Sequence, residues 1–233
     1  MKTAIITGAS VGIGRETAAR FLDSGFAVFN LARRPCPLEG ATSIRCDLAD
    51  PASITDTCDQ LAEAVATSDS VALVYNASQM LKDSATECQS DSLRAVLETN
   101  IVGINSVNQA LLSKLPTTSS VLYVGSTLSE KAVANSFSYV TSKHAQLGMM
   151  RATCQDLMGS GIHTAMICPG FTDTEMLRTH IGTDPEVEQS IADMNAFKRL
   201  IRPDEIAELI HWAHHNPVIN GAVLHANLGQ KES

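Results

Sequence analysis

Seven short runs of β-branched and apolar residues recur along the chain, at positions 3–7, 26–31, 42–46, 71–75, 120–125, 162–168 and 222–226. Each reads as a strand buried on both faces. Between them lie segments with helical spacing, at 12–24, 51–67, 91–115, 137–159 and 203–215. In the third, Leu93, Val96, Leu97, Ile104, Val107 and Leu111 keep largely to one stripe. A strand that returns parallel to its neighbour needs a long crossover, which a helix supplies. The alternation therefore predicts an α/β fold in three layers: a doubly wound, mostly parallel sheet of about seven strands flanked by helices.

Helix starts are punctuated as this reading requires. Asp50-Pro51 supplies an N-cap and a proline in the first turn, and Arg202-Pro203-Asp204-Glu205 places carboxylates early in another. With 233 residues and no internal repeat or linker, the chain fits a single domain over 1–233. Hydrophobic residues at 44% and charged residues at 18% describe an ordinary globule. A net charge of −8 argues against nucleic acid as a partner, because phosphate binding rests on clustered Lys and Arg. The partner expected instead is a small molecule. Six scattered cysteines without a C-x-x-C pair indicate reduced thiols rather than a zinc or dithiol motif. The N-terminus enters a strand too soon for a signal peptide, and no apolar run reaches the ~18 residues of a membrane span. A cytoplasmic protein with no membrane partner is the expectation.

The loop after the first run is the first candidate site. Thr7-Gly8-Ala9-Ser10-Val11-Gly12-Ile13-Gly14 leads directly into a helix. Glycines let the backbone turn tightly and approach a pyrophosphate, and the free N–H groups of the next helix face that anion. Gly8, Ser10, Gly12, Ile13 and Gly14 are the expected phosphate contacts. The spacing Gly-x-x-x-Gly-x-Gly is not the commonest dinucleotide pattern, and by itself it also fits a flexible turn. At the end of the second run, Ala32 stands where NAD-dependent enzymes usually carry a carboxylate, and Arg33 and Arg34 follow. Guanidinium groups suit a 2′-phosphate, so NADP(H) is preferred over NAD(H), although a solvated surface pair would look the same.

Tyr139 and Lys143 stand one helical turn apart and can face one spot. An ammonium beside a phenol favours the phenolate, which predicts a lowered Tyr139 pKa and a proton donor. Residues 171–200 break the alternation with a long excursion that lacks a strand signal. Such a segment is either a substrate-binding loop or lid, or a surface helix pair.

Taken in order, the glycine loop, Asp47-Leu48, Tyr75-Asn76-Ala77-Ser78, Asn100, Ser126, Tyr139, Lys143 and Pro169-Gly170 resemble the short-chain dehydrogenase/reductase family, single-domain enzymes of Rossmann type, across essentially the whole chain. The resemblance implies an oxidoreductase that interconverts a carbonyl and an alcohol by hydride transfer. It assigns Ser126 to the substrate oxygen and Tyr139 to proton transfer. Lys143 would lower the phenol's pKa and hold the nicotinamide ribose, and Asn100 would fix a water leading from Lys143 to solvent. Asp47 and Leu48 would flank the adenine, Asn76 and Ala77 the cofactor floor, and Pro169, Gly170, Thr172 and Thr174 the nicotinamide carboxamide. A homodimer or homotetramer is implied too, with 91–115 and 137–159 as candidate contact helices.

The chain departs from the family pattern in two places. Many relatives read Asn-Asn-Ala-Gly where Tyr75-Asn76-Ala77-Ser78 stands, and Asp-Gly-Gly near His225-Ala226-Asn227-Leu228-Gly229. His211, His214 and His215 have helical spacing but lack a metalloprotease glutamate, so no metal is expected; they read as helix-end groups favourable to the dipole. The competing function is a dinucleotide-binding regulator without turnover, whose relatives generally lose the tyrosine or lysine that this chain keeps.

Overall fold

The computed structural model describes residues 1–182 and 184–231. Seven strands form one sheet, all in parallel register: β1 (Lys2–Thr7), β2 (Ala27–Ala32), β3 (Ala41–Arg45), β4 (Ser70–Tyr75), β5 (Ser120–Val124), β6 (His163–Pro169) and β7 (Ala222–Ala226). Their order is β3-β2-β1-β4-β5-β6-β7. The winding reverses between β1 and β4, and such a switch point opens a crevice at the carboxyl ends of the strands. Thr7 pairs with Leu31 on one side and Tyr75 on the other, so the first glycine loop leaves the sheet at that crevice.

Strand alternation sorts the core into two halves. Ile5, Leu73, Val121 and Met166 face α2 (Pro51–Ala66), α4 (Gly103–Leu111) and α5 (Phe137–Asp156), where Leu61, Ile104, Val107 and Met150 meet them. Ala4, Ile6, Val74, Leu122 and Ile167 face the other way, toward α1 (Gly12–Asp23) and α8 (Pro203–His214), which contribute Phe21, Ile206 and Ile210. Both faces are buried along β1, β4, β5 and β6, which is why those strands read as unbroken apolar runs, while the edge strands β3 and β7 are partly exposed.

One segment differs from the sequence reading, and another resolves an alternative it left open. Residues 91–115 do not form one regular helix: α3 (Ser90–Leu97) passes through a π-turn at Glu98–Val102 before α4 begins. At this join a Cβ on Gly103 would lie 2.1 Å from the Leu48 carbonyl oxygen, so only glycine admits the loop after β3. Residues 171–200 carry the helix pair α6 (Glu175–Ile181) and α7 (Pro185–Ala192), with Asp184 capping the second by accepting from Glu186 N.

The histidines of α8 are governed by burial rather than by the helix dipole. At the end of the sheet away from the crevice, His214 Nδ1 and Ser120 Oγ share a hydrogen bond of 2.7 Å, and the ring sits among Phe21 and Phe26. Burial first, and neighbouring histidines second, push His214 down to about 3; burial also lowers His163 and His211. A histidine held neutral in the fold still binds a proton when unfolded. Its stabilisation is therefore complete above the ordinary value of 6.5 and drains away as pH falls toward 3. Between pH 6.5 and 5 the His214 contribution should fall by about 2 kcal/mol, at ~1.4 kcal/mol per pH unit. Urea unfolding at the two pH values measures it, and equal stabilities would contradict it. Glu205, held down at about 2 by Arg199, loses its contribution only in a more acid window.

Candidate active site

The glycine loop is built for close approach. Gly8 and Gly12 take left-handed backbone angles, with φ of +74° and +56°. A Cβ on Gly14 would lie 2.2 Å from the Gly8 carbonyl oxygen and 2.5 Å from Asn76 Nδ2. The Asn76 amide donates to the Thr7 and Gly8 carbonyls at 3.1 and 3.0 Å, and the Asn76 and Ala77 N–H groups donate to the Thr7 hydroxyl, both at 3.0 Å. Residues 76 and 77 therefore form the floor under this loop. Asn30, which the sequence reading did not single out, accepts from Ala9 N at 2.8 Å and donates to Arg34 O at 3.1 Å. Val11 precedes α1 without a side-chain cap and no acidic residue occupies the first turn, so the N-terminal N–H groups around Ile13 meet no side-chain acceptor among the described residues. A tight cradle with uncapped N–H groups at a switch point fits a dinucleotide pyrophosphate.

At the adenosine end, Arg33 is exposed and has no ion-pair partner among the described residues. Arg34 differs: its backbone oxygen accepts from Ser10 Oγ at 2.5 Å, and its guanidinium pairs with Glu175 on α6 at 3.3 Å. Asp47 accepts from Ala49 N at 3.0 Å, and Leu48 is buried against Gly103. At the other end, Gly170 N donates to Ala226 O and Thr172 Oγ1 donates to Gly170 O, at 3.0 and 3.1 Å. Thr174 caps α6 by accepting from Leu177 N, and it packs against Gly12, where a Cβ would meet its methyl at 3.1 Å. The excursion thus starts directly over the glycine loop.

Ser126, Tyr139 and Lys143 converge beside this crevice. Ser126 follows β5 and caps the short turn Thr127–Ser129, accepting from Leu128 N at 3.1 Å. Ser126 also lies near enough to the Tyr139 phenol to favour its ionised form. Lys143, 2% exposed, places Nζ 5.5 Å from the Tyr139 ring centroid. It donates to Val124 O at 2.9 Å and to Gln146 Oε1 at 3.1 Å.

Here the expected pKa effect is corrected. Burial pushes the Tyr139 phenol up to about 12, against a smaller lowering from Ser126, and pushes the Lys143 amine down to about 8. The amine lies by the ring rather than on the hydroxyl, so desolvation outweighs it. The Asn100 side chain bridges Gln79 and α5. Its Oδ1 accepts from Gln79 N at 2.7 Å, and its Nδ2 donates to Gln79 O and Ser142 Oγ, both at 2.9 Å. The π-turn turns this side chain, 1% exposed, toward α5. Asp83 was also missed: it receives Phe137 N on its carbonyl and Ser138 N on its carboxylate, pinning the first turn of α5. No local sequence signal marks it, because the cap arrives from fifty-five positions away.

A doubly wound sheet whose first crossover opens on such a cradle belongs to the dinucleotide-dependent class of α/β proteins. The chain is a member of the short chain dehydrogenase family, whose profile matches residues 2–184. It is 31% identical over 195 residues to 1-deoxy-11-beta-hydroxypentalenate dehydrogenase of Streptomyces exfoliatus, covering 76% of this chain and 70% of that one. It is 28% identical to cis-4-hydroxycyclohexanecarboxylate dehydrogenase of Sinomonas cyclohexanicum, covering 90% and 87%. A short chain dehydrogenase from Burkholderia cenocepacia solved with NADP superposes with a TM-score of 0.85 at 25% identity, covering 98% and 97%. The protein is therefore an oxidoreductase acting between CH–OH and carbonyl groups with a nicotinamide dinucleotide. Among the described residues no helix is long and apolar enough to cross a membrane.

Proposed function

We propose that the protein is an NADPH-preferring carbonyl reductase or alcohol dehydrogenase in which Tyr139 passes the proton to and from the substrate oxygen. The observation that carries this reading is the convergence of the Ser126 hydroxyl and the Lys143 amine on one buried phenol beside the glycine loop. The cofactor supplies the hydride when bound; the residues described here orient, shield and move the proton. Gly8, Ser10, Gly12, Ile13 and Gly14 would hold its phosphates, Asp47 and Leu48 its adenine, and Pro169, Gly170, Thr172 and Thr174 its carboxamide. Ser126 holds the substrate oxygen within reach of the phenol. A phenol raised to about 12 stays protonated at neutral pH, so it is poised as a donor. Asn100 holds α5 through Ser142, which in turn donates to Tyr139 O at 2.8 Å. The test is NADPH with a panel of aldehydes and ketones, followed by absorbance. Consumption supports the reading; tight NADPH binding without consumption across the panel favours the regulator instead.

Cofactor choice is separable. Of the two arginines, Arg33 has no ion-pair partner among the described residues, so Arg33→Ala should weaken NADPH by about 1.5–3 kcal/mol, the value of a charge-assisted hydrogen bond, and leave NADH nearly unchanged. Arg34→Ala should cost less, because Glu175 already neutralises that charge. Calorimetric titration with both cofactors decides it, and equal losses for NADPH and NADH rule out the role. Residues 171–200 are proposed to form the substrate lid, which the contact of Thr174 with the glycine loop supports.

A further inference from the structure

Gln146 lies three positions after Lys143 on α5, on the inward face, and is 1% exposed. Its helical neighbours on that face, Leu147 and Met150, are apolar core residues. A carboxamide is an expensive choice at such a position, and here it is only half repaid: Oε1 accepts from Lys143 Nζ at 3.1 Å, while Nε2 is buried with no partner among the described residues. Turning the amide over would set its N–H₂ against the ammonium, so the carbonyl must face Lys143. A leucine would fill the same space without an orphaned donor. The residue is therefore poorly explained by packing and well explained by what its oxygen touches.

Resting on the reading of Lys143 as a site residue, we infer that Gln146 is a positioning residue: its buried carbonyl fixes the Lys143 side chain and favours the charged amine. An ammonium has three N–H bonds. Val124 O and Gln146 Oε1 take two of them and leave one free for a ligand. Without Gln146 the amine is held by one carbonyl and has lost an acceptor that prefers its charged form. The titratable groups facing Lys143 are Tyr139, from its own helix, and Cys168, from β6, whose thiol burial raises. Neither supplies a fixed negative charge at neutral pH, so the neutral acceptors carry the stabilisation.

The test titrates the Lys143 amine in the cofactor-free protein by NMR on isotope-labelled lysine, with the signal assigned from Lys143→Arg. In Gln146→Leu the proton affinity of Lys143 should fall about tenfold, the size expected for a charge-assisted hydrogen bond. Thermal stability should be equal or higher, because the orphaned donor has gone. In Gln146→Glu, which puts a carboxylate on the amine, the affinity should rise by at least as much. A merely structural role moves stability and leaves the titration alone. An unchanged midpoint in both variants, or movement in the same direction in both, overturns the inference; should Gln146→Leu not fold, an unchanged midpoint in Gln146→Glu does so by itself. Because the readout needs no turnover, failure of the oxidoreductase reading shows separately, as an inactive wild-type protein with a normal titration response. In an active protein the alkaline limb of the pH–rate profile should follow the same two shifts.

Discussion

Tyr139→Phe should lower turnover on carbonyl substrates by about 10²–10⁴, the usual contribution of a positioned general acid, while NADPH binding stays near wild type. The substitution removes one oxygen and keeps the ring, which is 8% exposed and packed in the same space. What it takes away from the fold is one hydroxyl beside Ser126, a loss of at most about 1 kcal/mol and no obstacle to folding. The catalytic cost is larger because the oxygen formed by hydride arrival has no other donor so placed. Ser126 shares the pocket, but an aliphatic hydroxyl is a weaker acid than a phenol. Lys143 gives two of its N–H bonds to Val124 O and Gln146 Oε1, and its Nζ stands 5.5 Å from the centre of the Tyr139 ring. The direction of the Tyr139 shift also bears on pH. A phenol at about 12 remains a donor across the neutral range, so reduction should show no acid-side requirement for its ionisation. Initial rates for both proteins against several aldehydes and ketones measure the effect. Near wild-type turnover in the phenylalanine variant would sink the proposed role of Tyr139, whatever the cofactor.

The strands could be read from the sequence because burial on both faces leaves a local signature, an unbroken β-branched run. The Tyr139 and Lys143 positions could be read for a similar reason: four residues apart on a helix is a geometric statement that survives without tertiary knowledge. The helix break near Asn100 was not visible in this way. It depends on the Leu48 carbonyl pressing on Gly103 and on Gln79 receiving the Asn100 amide, contacts between segments far apart in the chain. The sign of the Tyr139 shift was hidden too, since spacing places an ammonium near a phenol but does not say how dry the pocket is. The start of α7 is a different case. Asp184-Pro185 repeats the signal of Asp50-Pro51, an N-cap followed by proline, and it marks the second helix of the pair that the sequence reading left as an alternative. The pairing of Arg34 with Glu175 had no signature at all, because 141 positions separate the two residues.

Two glycine-to-alanine substitutions in helices should have opposite signs, and the one at Gly14 should be among the most damaging single changes in the chain. Gly148 lies in α5 with open space around its Cα, so Gly148→Ala should stabilise the protein by about 0.5–1 kcal/mol through helix propensity alone. Gly14 lies in the first turns of α1 and enjoys the same propensity gain, yet its new methyl would stand 2.2 Å from the Gly8 carbonyl oxygen, well inside contact distance. Neither neighbour can give way cheaply. The Gly8 oxygen is backbone and already accepts from Asn76 Nδ2, which is itself only 2.5 Å from the added methyl. To make room, the loop must lift off its Asn76 and Ala77 floor, or the helix must shift away from β1. Overpacking of this kind costs typically 1–3 kcal/mol and outweighs the propensity gain. The displaced groups are also the ones proposed to cradle the pyrophosphate, so NADPH affinity should fall at least about tenfold, the equivalent of ~1.4 kcal/mol, in the same variant. Urea unfolding and NADPH fluorescence titration on the two variants and the wild type give both quantities. A Gly14→Ala protein with unchanged stability and unchanged NADPH affinity would mean that the loop is not the rigid cradle its contacts describe, whereas lost affinity beside a stabilised Gly148→Ala would tie cofactor binding to that single close approach.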